Sequence, residues 1–171
     1  MANGTTNDPA RMVLSRVFEA PRELVWKAWT DPQYAMRWWG PKGFTTPFYE
    51  MDFRVGGKFL FCMRAPDGKE FWTGGEYHEI VLYEKIVQSL YPTDPQGNKV
   101  DPAQYGIEHE AIDGAHDVIL FEDLGDGRTK LTLIGNETME NAQESGQVEG
   151  WNQILAKFAD VVAALVQANK E

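Results

Sequence analysis

The chain contains a single cysteine, Cys62, among its 171 residues. An internal disulfide is therefore excluded, and no paired Cys or Cys/His spacing predicts a zinc site. This composition favours a reducing compartment, so we expect a cytoplasmic protein. No run of about 18 apolar residues occurs, which argues against a membrane span, and residues 1–11 lack the apolar stretch of a signal peptide. We expect those eleven residues to form a disordered tail.

Basic residues are also scarce. The chain has 26 acidic and 16 basic side chains and a formal net charge of −10, which repels nucleic acids and anionic membrane surfaces. It has no glycine-rich phosphate loop, no nucleophile elbow and no metal motif such as H-E-x-x-H. We therefore predict no nucleic-acid partner, no metal and no cofactor, and the absence of a catalytic motif favours binding over catalysis.

Apolar residues recur at helical spacing over residues 141–168, and this is the most informative pattern in the chain. The repeating positions are Trp151, Leu155, Phe158, Val162 and Leu165. Spacings of three and four residues predict one long amphipathic helix whose apolar face must be covered. Asn141 followed by Glu144 resembles a capping box at the start of this helix.

The remaining segments predict an antiparallel sheet as the surface that covers the helix. Residues 12–18 favour a strand, Pro21 begins a short helix, and Asp31 with Pro32 begins a second one that ends near Trp38. Six strands follow between residues 44 and 137, separated by turn residues. The strand at residues 70–82 is expected to bulge at its Gly-Gly pair. Residues 92–114 show no clear element, and we expect one domain over residues 12–169.

Several sequence runs resemble a known family. They are RVFEAPRELVWKAWTDP at 16–32, RWWGP at 37–41, DFRVGGK at 52–58, MRAPDG at 63–68, FEDLG at 121–125 and GW at 150–151. In the same order, these runs are similar to the family named after the C-terminal domain of the activator of heat-shock protein 90 ATPase, within the START-like or SRPBCC superfamily. The resemblance implies an α+β helix-grip fold: a curved seven-stranded antiparallel sheet around a long C-terminal helix, with two short helices after the first strand. It also implies a small hydrophobic or amphipathic ligand between sheet and helix.

Alternation along the strands predicts which side chains face the helix, because charged residues mark the solvent face. We predict a ligand site formed by aromatic and aliphatic residues from the sheet, the short helices and the long helix. These residues are Trp38, Trp39, Met51, Phe53, Phe59, Phe61, Met63, Ile119, Phe121, Leu131, Leu133, Trp151, Leu155 and Phe158. The same residues fit two alternatives equally well, a ligand-sized cavity or a filled aromatic core.

Polar groups that could orient a ligand lie on the strand at residues 70–82. The candidates are Tyr77 with Glu79, or His78 with Glu76, depending on the direction of the side chains after the Gly-Gly pair. We favour Tyr77 and Glu79, which could also act as an acid–base pair if burial raised the carboxyl pKa.

The opposite face of the sheet carries alternating apolar residues, namely Leu60, Cys62, Val118, Leu120 and Ile134. An exposed apolar face of this kind predicts a homodimer. The leading functional hypothesis is binding of a small hydrophobic molecule. The alternatives are an enzyme acting in the same cavity and a protein-interaction module such as a chaperone ATPase cofactor.

Overall fold

The computed structural model describes residues 10–107 and 115–170. The strands are β1 Arg11–Phe18, β2 Thr45–Met51, β3 Lys58–Arg64, β4 Glu70–Val81, β5 Lys85–Thr93, β6 Asp117–Gly125 and β7 Arg128–Thr138. The helices are α1 Arg22–Thr30, α2 Pro32–Trp38, α3 Met139–Glu144 and α4 Gln147–Asn169. Most of the predicted tail and part of the predicted loop at 92–114 lie outside the described residues. Within that loop, Pro102–Tyr105 forms a 3-10 turn.

All seven strands form one antiparallel sheet in the order β1-β7-β6-β5-β4-β3-β2. The apolar face of α4, including Leu155, Phe158 and Val162, is buried in the core that covers the inner face of the sheet. The two short helices follow β1, and Asp31 caps α2 by accepting a hydrogen bond from the Gln33 backbone N–H at 2.9 Å. The predicted α+β helix-grip fold is confirmed.

The predicted single C-terminal helix is divided in two, which corrects the sequence interpretation. Thr138, and not Asn141, caps the first piece: its hydroxyl accepts a hydrogen bond from the Asn141 backbone N–H at 3.1 Å. The chain then reaches Gly146, whose φ of 82° is left-handed and interrupts the helical path before α4 begins. The predicted capping box is therefore wrong, because Asn141 lies inside α3. The prediction of a single helix is wrong because helical spacing alone does not reveal a break at a glycine.

The β-bulge in β4 also differs from the prediction. Gly74 and Gly75 remain in register with their neighbours, and the register shifts between Tyr77 and Glu79 instead. Gly75 is needed for close approach: an added Cβ would lie 1.9 Å from the Ser89 carbonyl oxygen and 2.3 Å from Phe59 Cζ. Gly75 therefore lets the Phe59 ring and the Ser89 backbone lie close to β4. His78 supplies the extra residue of the bulge.

The sheet opens between β5 and β6, and this opening positions the candidate site. Only four residue pairs join these strands, from Lys85 opposite Leu120 to Gln88 opposite Asp117. Beyond Gln88, β5 continues along β4 as far as Thr93, whereas β7 continues beyond its pairing with β6 along β1. The two halves of the sheet therefore diverge and leave a gap. In the described part of the chain, no helix is long and apolar enough to cross a membrane.

Candidate functional site

One half of the space between sheet and helices is filled by aromatic rings. Phe61 stacks on Trp39 and on Tyr49, with a centroid separation of 5.0 Å in each pair. Trp38 meets Phe158 edge to face at 4.9 Å. Offset and edge-to-face contacts of this kind are favourable and leave little empty volume. This half is a closed core.

Many of the predicted site residues belong to that closed core. The group comprises Trp38, Met51, Phe53, Phe59, Phe61, Met63, Tyr77, Phe121, Leu131, Leu155 and Phe158. Their predicted inward orientation is confirmed, since each is buried or packs against buried neighbours. The structure does not bring them to the cavity described next, so the alternative of a filled core holds for this half.

A cavity of about 260 Å³ lies in the other half, where β5 and β6 diverge. Its apolar walls are Trp29, Trp39, Leu90, Ile119, Leu133 and Trp151. Trp39, Ile119, Leu133 and Trp151 were among the predicted site residues, and the structure brings these four together. Pro102 and Ile107, from the segment after β5, complete one side. Both alternatives left open by the sequence therefore occur, in different halves of the molecule.

Polar side chains gather at one end of this cavity. Gln88 and Asp117 form the last pair of the β5–β6 ladder, and Glu137, whose charge acts on Asp117, also lines the cavity. Gln88 is only 6% exposed, and in the described part of the chain no hydrogen bond reaches its side chain. Glu137 is buried. The cavity is thus amphipathic, with aromatic walls and an acidic end.

Burial raises the pKa of Asp117 to about 7. The nearby carboxylate of Glu137 also raises it, whereas Arg11 and the backbone N–H of Asn136 lower it. A carboxyl group with a pKa near neutrality can hold a cation, donate a proton or accept one. Asp117 can therefore take either protonation state near neutral pH.

The sequence interpretation missed Gln88, Asp117 and Glu137, although a signal was present. Gln88 falls between the inward positions of Ile86 and Leu90, and Asp117 precedes the inward residue Ile119 by two. Polar residues at positions where alternation predicts apolar ones indicate a polar patch on the inner face. Extending the alternation to the ends of these strands would have found them.

Glu79 does not face the helix, which corrects its predicted position. The bulge at His78 reverses the alternation, so Tyr77 points inward, Glu79 points outward and Ile80 returns to the inner face. Glu79 is exposed and forms an ion pair with Lys85 at 3.3 Å. The structure therefore separates Tyr77 and Glu79, and the acid–base pair they were expected to form is absent.

Tyr77 itself is buried in the aromatic core. Its hydroxyl donates to the Met51 sulfur at 3.7 Å, and burial raises the pKa of Tyr77. His78 is exposed on the outer face and stacks on His116, with ring centroids 4.1 Å apart. In the described residues, no three His, Cys, Asp or Glu side chains lie close enough to hold a metal ion.

The outer face of the sheet is less apolar than the sequence indicated. Cys62 is 1% exposed, and Leu60 and Leu120 are partly buried. Val118 and Ile134, predicted to lie on this face, line the margin of the cavity where the sheet opens. Among the five residues used to predict a homodimer, none is an exposed large hydrophobic residue.

Comparison with known proteins agrees with the fold. A sequence profile described as "activator of Hsp90 ATPase homolog 1-like protein" matches residues 19–163. This chain belongs to that family. Its members share the START-like helix-grip fold seen here, and the matched residues include every strand except β1, together with most of α4.

Solved structures of bacterial proteins show the same architecture. A solution structure of a protein from Arthrobacter aurescens is 26% identical in sequence, with a TM-score of 0.73. The match covers 89% of this chain and 85% of the Arthrobacter protein. A crystal structure of a protein from Chromobacterium violaceum is also 26% identical, with a TM-score of 0.69. The match covers 90% of this chain and 97% of the Chromobacterium protein. An AHSA1-like protein from Aeromonas hydrophila is 24% identical, with a TM-score of 0.63. The match covers 90% of this chain and 94% of the Aeromonas protein. No curated protein matches the chain.

Proposed function

We propose that this protein binds a small hydrophobic or amphipathic molecule in the cavity between the sheet and α4. The observation that carries the proposal is the cavity of about 260 Å³ beside a core that is otherwise filled. Its walls are mostly apolar, so a molecule with apolar surface would gain dispersion contacts with them on binding.

The cavity volume limits the size of the ligand. An apolar cavity of about 150 Å³ in another protein binds benzene, and drug-sized ligands occupy pockets of about 300 to 1,000 Å³. At about 260 Å³, this cavity suits a molecule with one or two rings. We therefore expect the part of the ligand that lies inside the cavity to be of this size.

The test is native mass spectrometry of the purified protein beside its denatured mass, followed by extraction of any released molecule. We expect a mass in excess of 19.4 kDa that disappears on denaturation. Leu90→Trp, which adds an indole to the cavity wall, should abolish the excess mass. The matched control is Leu82→Trp at an exposed position, which should retain it.

Two results would count against ligand binding. One is an unliganded mass that is unchanged after incubation with butylbenzene and with other one-ring and two-ring compounds at millimolar concentration. The other is binding of such compounds that Leu90→Trp leaves unaffected, since the bound molecule would then lie elsewhere. Thermal unfolding of both variants checks that each one folds.

Stimulation of a chaperone ATPase is a second candidate, supported by the description of the family profile. The measurement is the ATPase rate of purified Hsp90 with and without this protein. If stimulation occurs and Leu90→Trp preserves it, an interaction surface carries the activity and the cavity does not. An unchanged rate at saturating protein would remove this candidate.

A homodimer and a cytoplasmic location remain predictions. The buried free thiol of Cys62 supports a reducing compartment. Exposed apolar residues occur on the two edge strands, with Val13 48% exposed on β1 and Phe48 36% exposed on β2. Light scattering at micromolar concentration tests the dimer, and a species of 19.4 kDa alone would show that the protein is a monomer.

A further inference from the structure

The polar end of the cavity contains an amide that faces the cavity. Gln88 is 6% exposed, and its side chain lines the cavity. Its polar atoms are not among the fully buried side-chain atoms that lack a partner, so they are accessible from the cavity. A polar group of the molecule that fills the cavity is a natural partner for this amide.

Two carboxyl groups line this end of the cavity. Asp117 lies directly opposite Gln88, and Glu137 also lines the cavity. Arg11 is the nearby cation, but its guanidinium donates to the carbonyl oxygens of Gly135, at 2.8 Å, and of His116. No ion pair joins Asp117 to a basic side chain of the described residues. The charge of Arg11 therefore acts on Asp117 without forming an ion pair, and an ionised Asp117 can still accept a hydrogen bond from a cationic ligand.

The aromatic walls favour the same kind of ligand. Trp29, Trp39 and Trp151 surround the apolar part, with ring centroids 6.2 Å apart for Trp29 and Trp39 and 5.1 Å apart for Trp39 and Trp151. The faces of these rings offer apolar contact to the hydrocarbon part of such a ligand. The net charge of −10 further favours the approach of cations over anions.

Building on the proposed function, we infer that the ligand is a small apolar amine. Its ring lies among Trp29, Trp39 and Trp151, and its ammonium donates hydrogen bonds to the Asp117 carboxylate and the Gln88 side-chain oxygen. Charge-assisted hydrogen bonds to a carboxylate are stronger than neutral ones, so this end of the cavity selects the ligand while the aromatic walls supply apolar contact.

Three probes with one ring and a similar chain separate this inference from the proposed function. They are 3-phenylpropylamine, which is cationic, butylbenzene, which is neutral, and 3-phenylpropionate, which is anionic. Dissociation constants would be measured by calorimetry at pH 8. We expect the amine to bind at least about tenfold more tightly than butylbenzene, and the carboxylate to bind most weakly.

Asp117→Asn keeps the shape of the side chain and removes its charge. It should reduce the advantage of the amine over butylbenzene to about threefold or less. Asp160→Asn, at an exposed position on α4, is the matched control and should retain the full advantage. Unfolding curves of both variants show whether each one folds.

The pH dependence gives a second readout. Arg11 from β1 and Glu137 from β7 are the charged groups that act on Asp117, and its partner on β5, Gln88, is neutral. Protonation of Asp117 below pH 7 should weaken amine binding between pH 8 and pH 5.5, and Asp117→Asn should remove most of this change. His116, the preceding residue, stacks on His78 and does not line the cavity.

The outcomes are distinct. If butylbenzene and the amine bind equally, the cavity binds apolar molecules and the amine inference is wrong. The inference also fails if the preference for the amine survives Asp117→Asn, because another group then selects the charge. If none of the three probes binds at millimolar concentration, both the inference and the proposed function are overturned.

Discussion

The ammonium of Lys157 on α4 donates a hydrogen bond to the Gly40 carbonyl oxygen over 2.9 Å. The same nitrogen reaches the carbonyl oxygens of Trp39 and Phe44, each at 3.3 Å. One partly buried charge therefore satisfies backbone acceptors from the segment between α2 and β2. Because Trp39 is a wall of the cavity, Lys157 also fixes the position of that wall relative to α4.

We expect Lys157→Met to destabilise the protein by about 1–3 kcal/mol, because charged hydrogen bonds are lost and the aliphatic stem is retained. Urea unfolding measures the change. The control is Lys170→Met at the exposed end of α4, which should alter stability by less than about 0.5 kcal/mol. Equal stability of the two variants would show that the three contacts contribute nothing.

Two glycines should respond oppositely to substitution by alanine. At Gly75 a Cβ would lie 1.9 Å from the Ser89 carbonyl oxygen, so Gly75→Ala should cost about 3 kcal/mol or more. At Gly150 an added Cβ would meet, outside the backbone of its own helix, only Pro41 Cγ at 3.9 Å. Gly150→Ala should therefore stabilise α4 by about 0.5–1 kcal/mol. Melting temperatures of both variants measure these effects, and a stable Gly75→Ala protein would contradict the close approach.

Asp117 should make stability depend on pH. An unfolded aspartate titrates near about 3.9, whereas Asp117 in the folded chain titrates at about 7. Between these values the folded state binds a proton that the unfolded state lacks, so its contribution falls as pH rises from about 4 to about 7. Above pH 7 the contribution is constant.

The measurement compares urea unfolding of the unchanged protein and Asp117→Asn at pH 4.5, 6 and 8 without ligand. The variant should gain stability relative to the unchanged protein as pH rises to about 7. A difference that does not change with pH would mean that Asp117 titrates normally in the folded protein.

Glu79→Gln should leave ligand binding unchanged. The carboxylate is exposed on the outer face beside Lys85, and exposed ion pairs contribute about 0–1 kcal/mol. Binding of 3-phenylpropylamine to this variant should stay within about twofold of the unchanged protein. A large loss would contradict the outward orientation that the bulge at His78 gives to this residue.

The fold could be predicted because each element has a local cause in the sequence. Alternation in the strands, Asp31 before α2 and the period of α4 all act over a few residues. The turn of the β6–β7 hairpin was equally predictable, since Asp126 and Gly127 both adopt the positive φ that an Asp-Gly pair favours, at 57° and 73°. Inward orientation of the aromatic residues followed from the same alternation.

The site was less predictable because it depends on where strands separate. Alternation identifies inward residues, but it does not show that Phe61 is covered by Trp39 and Tyr49 while Leu133 lines a cavity. The bulge at His78 also lacked a sequence signal, since the Gly-Gly pair nearby was the stronger candidate. Register and separation are properties of paired strands, so one strand read alone does not reveal them.

The separation of β5 from β6 gives the two halves of the molecule different packing. The aromatic half is packed throughout, whereas the walls of the opening combine buried core residues, such as Trp39 and Leu133, with partly buried ones, such as Leu90 and Ile107. If a small molecule binds there, substitutions of Leu90 and Ile107 would change its fit with less effect on folding than substitutions in the aromatic half.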